Sequence, residues 1–223
     1  WAEAIVSSLL LLGVTCAIYM VWEMVRHPPQ MAVMRYVWPL CALFSGPLLI
    51  WFYRHYAGPH ADDAPFAAKV AKGTLHCGAG CALADLICEN LAHYVPGVLA
   101  YFGLGTIFST EIFAVWTMDY VFALLTGIVF QYFAIAPMRD LSVGEGVMAA
   151  AKADVLSLTS WQVGMYGSMG LAHFILFPAF VGDKVDAGNP VFWAAMQMAM
   201  LAGFASAYFP NWFLIRSGLK EEM

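Results

Sequence analysis

His76-Cys77-Gly78-Ala79-Gly80-Cys81-Ala82-Leu83-Ala84-Asp85-Leu86-Ile87-Cys88-Glu89 lies inside a run, Pro65 to Tyr94, that has no proline after its first residue. Cys77, Cys81, Asp85 and Glu89 recur every fourth residue, so an α-helix gathers them into one slowly rotating stripe. The residues around the stripe are apolar. Ionisable groups within a bilayer cost about 2.5–3.5 kcal/mol each and turn toward a bundle interior. The stretch therefore reads as one helix of a polytopic, all-α membrane bundle, its polar line shielded by the other helices.

The composition supports that reading. The chain has 223 residues, 62% of them hydrophobic and 11% charged, and its mean hydropathy is +0.72. A soluble domain carries about 25% charged residues, so this chain cannot cover a surface in water. Aromatic residues make up 15%, with 8 Trp and 10 Tyr, which suits two membrane interfaces. The net charge of −5 offers no basic patch and argues against nucleic acid. Five cysteines, Cys16, Cys41, Cys77, Cys81 and Cys88, all fall in apolar segments and read as reduced thiols rather than a disulfide framework.

Six spans are expected in one domain covering residues 1–223. Ala4–Val25 is the first, ending before Pro28 and Pro29, and it is too long and uniformly apolar for a signal-peptide core. Met31–Tyr56 is the second, kinked at Pro39 and Pro47. The third starts near Asp63 and Pro65 and ends at Tyr94 before Pro96-Gly97. Val98–Phe108 is too short to cross and reads as an interfacial or re-entrant piece. Glu111–Pro137 is the fourth span. The fifth opens on a capping box, Ser142 with Glu145, and stops at Pro178; its first half lies outside the membrane. Val191–Ile215 is the sixth, interrupted at Pro210-Asn211. Arg54, Lys69, Lys72, Arg139, Lys152, Arg216 and Lys220 then fall on the side of the termini, against Arg26, Arg35 and Lys184 opposite. That imbalance puts both termini in the cytoplasm; a seventh span at Val98–Phe108 would reverse everything after it.

Cys77 and Cys81 are one turn apart, about 6 Å along the axis, close enough for two thiols to share one soft metal ion. His76 is 100° round the helix from Cys77 and joins them only if Gly78 and Gly80 distort the helix there. Cys77 to Glu89 is roughly 18 Å, so the stripe forms two sites or a polar path, not one mononuclear centre. Small residues at this spacing also serve close helix packing, and cysteine is an ordinary interior residue. Facing candidates are Asp119 on the fourth span and Met165, Met169 and His173 on the fifth, a thioether–imidazole stripe that suits Cu(I). Methionine at this spacing also fills cores. Asn211 after Pro210 reads as a helix break with free carbonyls, or as a simple kink.

No glycine-rich phosphate loop follows a strand, and neither a Cys-x-x-Cys pair nor a haem-attachment motif is present. Six histidines are too few for a histidine-rich di-iron membrane oxygenase.

The motif His76–Cys81 followed by Asp85 resembles a bacterial integral-membrane family catalogued as a domain of unknown function. The resemblance continues through Phe130–Met138, Lys152-Ala153-Asp154, Ser157-Leu158-Thr159, Gln162–Met165 and Asn211-Trp212, and spans nearly the whole chain. Ala82 and Ala84 depart from the threonine and glycine associated with those positions. The family has no established activity, so the resemblance implies only a fold and a bacterial inner membrane.

The expectation is a multi-pass inner-membrane protein that binds or translocates a soft metal ion, copper favoured, within a lipid bilayer. Its metal residues are His76, Cys77, Cys81, Asp85, Glu89, Asp119, Met165, Met169 and His173. Two alternatives stand beside it. One is a membrane redox enzyme acting on thiol or quinone, with Cys81 as nucleophile and Asp85 or His76 as base. The other is an accessory subunit of a homo-oligomer or larger membrane complex.

Overall fold

The structure, a computed structural model, describes residues 2–58, 64–135, 142–182 and 185–220. Its elements are α1 (Ala2–Arg26), α2 (Met34–Ser45), α3 (Pro47–Tyr56), α4 (Phe66–Tyr94), a 3₁₀ turn (Pro96–Phe102), α5 (Glu111–Ile135), α6 (Val143–Leu171), a π-helical turn (Ala172–Leu176), α7 (Phe177–Phe180) and α8 (Pro190–Arg216). The fold is all-α, and no strand occurs among the described residues. Asp63, Arg139 and Lys184, used above for the third helix start and the charge balance, lie outside the described residues, as do 136–138 of the family resemblance.

Four helices are long and apolar enough to cross a membrane: α1, α5, α6 with its continuation to Phe180, and α8. That is fewer than the six expected, for two reasons. The second expected span is broken, because Gly46 at φ 55° ends α2 and Pro47 starts α3. Proline at the first helical position starts a new helix without losing a needed hydrogen bond. The third, α4, has the length, but the polar residues that distinguish it lower its hydropathy. It is the interior helix, packed on α5, α8, α2 and α6.

The long helices turn apolar residues outward: Ile5, Leu11, Ile18 and Val25 on α1, Leu125, Val129 and Phe133 on α5, Phe209 and Phe213 on α8. Apolar faces of this extent are rare on proteins in water and suit lipid chains.

Two expected breaks do not occur. The helix entered at Ser142 runs through the π-helical turn and past Pro178 to Phe180, with proline in the first turn of α7. α8 is continuous through Pro210. Asn211 is buried; its Nδ2 donates to Ser157 Oγ at 2.7 Å and to the Ala207 carbonyl at 2.9 Å. It ties α8 to α6 rather than marking a broken helix. The capping box is present, Ser142 with Glu145, and the 95–110 segment folds as a 3₁₀ turn and bends that do not span.

Candidate functional site

α4 carries the site on a helix that its glycines fit into the bundle. Gly78 faces the Trp161 indole, with no room for a side chain between them. At Gly80 a Cβ would stand 3.2 Å from the Gly127 nitrogen of α5, and Thr126 Oγ1 donates to the Gly80 carbonyl at 3.0 Å. These glycines allow close approach of helices; the helix runs on undistorted. His76 therefore stays off the thiol face, against the Phe130 backbone carbonyl of α5, with its ring edge-on to Phe130 at 6.1 Å.

The polar stripe resolves into three levels. At the first, the Cys81 thiol sits beside the Cys77 thiol, and Cys77 sits beside the carboxylate of Asp154 on α6. Lys220 Nζ is 3.7 Å from Asp154 Oδ1, both side chains enclosed. Gly127 leaves the space that Asp154 fills between α5 and α4. All five cysteines are free and buried; Cys41 on α2 donates to the Leu75 carbonyl at 3.2 Å.

One to two turns on, Asp85 faces Asp119 of α5. Tyr166 of α6 donates to Asp119 Oδ2 at 3.3 Å and to the Trp116 carbonyl at 2.9 Å, its ring stacked on Trp116 at 4.8 Å. Neither oxygen of Asp85 meets a hydrogen-bond donor among the described residues. The third level is Glu89, at a cavity also lined by Met169, His173 and Asp186. Each step along α4 is about 6 Å, so the levels cover roughly 18 Å.

Five of the nine expected residues lie on α4, with Asp119 on α5, Met165 and Met169 on α6 and His173 in the π-helical turn. Among the described residues, no three of His, Cys, Asp and Glu converge tightly enough to hold one metal ion. Asp119 does face α4. Met165 and Met169 are buried in the same apolar core as Cys77 and Cys81, and Met169 and His173 also line the Glu89 cavity. Asp85 stands one turn from Cys81 on α4 with its charge in reach of that thiol, and Asp154 is the carboxylate beside Cys77.

Two residues went unassigned from sequence. Asp154 had a signal, an acid well inside an apolar helix. Lys220 had none: sequence counts it among the loop cations on the side of the termini, yet it is 2% exposed. The turn after α8, with Gly218 at φ 71°, folds it back onto α6.

Among curated proteins and among solved structures, nothing matches the chain. One family model does, over residues 68–220, a stretch that contains all three levels and the Asp154–Lys220 pair. The chain belongs to that family, described as Domain of unknown function (DUF4396).

Proposed function

We propose that this protein is an inner-membrane carrier of a soft monovalent metal ion, copper favoured, which binds at the Cys77–Cys81 thiol pair and moves along the inner face of α4. The supporting observation is the adjacency of the two thiols one turn above the buried Asp85–Asp119 pair. Thiolates select soft ions, and a monovalent d¹⁰ ion accepts two sulfur ligands without a third. The carboxyl groups below offer a moving cation negative charge inside the bundle. In this reading α4 and the α2–α3 pair cross the membrane with the four longer helices, giving six crossings and cytoplasmic termini. The thiol level then lies toward the cytoplasm and the Glu89 cavity opens on the opposite side. Oligomeric or larger assemblies fit the same reading without contributing a ligand to it.

The test is silver(I) binding, a redox-silent stand-in for copper(I), by elemental analysis of purified protein after dialysis. Wild type should retain the metal, and the Cys77→Ser/Cys81→Ser variant should lose it. Equal retention by the two proteins would sink the proposal.

A further inference from the structure

The opposite end of α4 carries a second chemistry that the thiols do not use. A cavity of about 220 Å³ lies between the end of α4, the start of α5, the π-helical turn and the segment before α8. Glu89 forms its floor. It is 8% exposed, no hydrogen bond to its carboxylate occurs among the described residues, and the carboxyls of Asp119, Glu111 and Asp186 are within electrostatic reach of it. Glu111 and Asp186 stand exposed at the rim. Asp186 is held in place, its Oδ1 accepting from the Gly188 N–H at 2.9 Å and lying 3.5 Å from His93 Nδ1. Trp116 and Met169 supply the wall.

Glu89 is enclosed beside three carboxyl groups with no hydrogen bond of its own to offset them, while His93 and His173 line the same cavity and His93 stands against Asp186. One cation in the cavity relieves all of these repulsions at once, and an acidic rim over a low-dielectric floor focuses the field that draws it in. The cavity has room for several waters. No three donors converge on a point, so an ion here keeps its water shell and is held through it, as small divalent ions commonly are. We propose that this cavity binds a hydrated divalent cation, held by Glu89 at the floor and Asp186 at the rim. The site is independent of the thiol pair, since Cys81 is two turns, about 12 Å, from Glu89.

The probe is Mn²⁺, titrated into protein in phosphatidylcholine nanodiscs. Loss of the free-ion paramagnetic resonance signal measures binding, and quenching of tryptophan emission reports its position. Saturable binding of one ion per chain is expected. Glu89→Gln and Asp186→Asn should each weaken it by about tenfold or more. Asp186 is on the surface, so its variant stays informative if Glu89→Gln misfolds. Trp116→Phe should keep the binding and lose part of the quenching, while Cys77→Ser/Cys81→Ser should keep both. Unsaturable binding, wild-type affinity in both carboxylate variants, or undiminished quenching in Trp116→Phe would overturn the site. Loss of Mn²⁺ binding in the serine variant would move the ion to the thiols and overturn it equally.

Discussion

At the residue scale the informative pair is Asp154 with Lys220, both enclosed and 3.7 Å apart. Removing one partner of such a pair strands a charge in an apolar interior and costs about 3–5 kcal/mol, whereas replacing both with apolar groups costs far less. Lys220→Met should therefore lower thermal stability sharply, and Asp154→Leu/Lys220→Met should recover most of the loss. Thermal unfolding in nanodiscs measures both. A single variant as stable as wild type would mean that the pair does not hold the C-terminal turn. The same residue shows why charge counting from sequence has a limit. Charge counting puts Lys220 with Arg216 among the cations on the side of the termini, but the turn after α8 leaves Arg216 exposed and buries Lys220.

At the element scale, two kinds of glycine act differently. Gly46 sits at φ 55° with open space where a Cβ would be, so Gly46→Ala tests backbone strain alone. The expected loss is about 1–2 kcal/mol, again read by thermal unfolding. Gly80 has ordinary helical backbone but packs tightly on α5, where a Cβ would stand 3.2 Å from the Gly127 nitrogen. Gly80→Leu should separate α4 from α5 and cost more than Gly46→Ala; the reverse order would show that the α2–α3 break, not the α4–α5 contact, limits stability. Proline reads as a stop at 178 and as a break or a kink at 210, yet the helices pass through both. Local propensity lost to packing there, with Asn211 bonded to Ser157 across the α6–α8 contact.

At the scale of the whole molecule, the three polar levels order the bundle from end to end. The Glu89 cavity is built from both the 95–110 and 185–189 segments, while Lys220 and Lys72 lie toward the other end of α4. Accessibility reporters should thus place residues 104–107 and 186–188 on one face of the membrane and both chain ends on the other. A reporter at 104–107 that shares the face of the termini would rule out six crossings. It would also put the cavity and the thiol level on sides opposite to those proposed.

What the sequence determined by itself was the kind of protein and the helix that matters. Low charge and long apolar runs pointed to a helical fold, and the structure is all-α with four helices long and apolar enough to cross a membrane; the four-residue spacing from Cys77 to Glu89 follows from helix geometry alone. The separation of soft thiols from hard carboxylates was legible for the same reason, because distance along one helix is set by residue number. Distances between helices are not. Only the tertiary structure brought Asp119 to Asp85, put Met169 and His173 at the Glu89 cavity, kept His76 off the thiol face, and set Asp154, paired with Lys220, beside Cys77. Those contacts depend on which faces of separate helices meet, and that was decided by packing at Gly78, Gly80 and Gly127, where the absence of a side chain leaves no mark in hydrophobic periodicity.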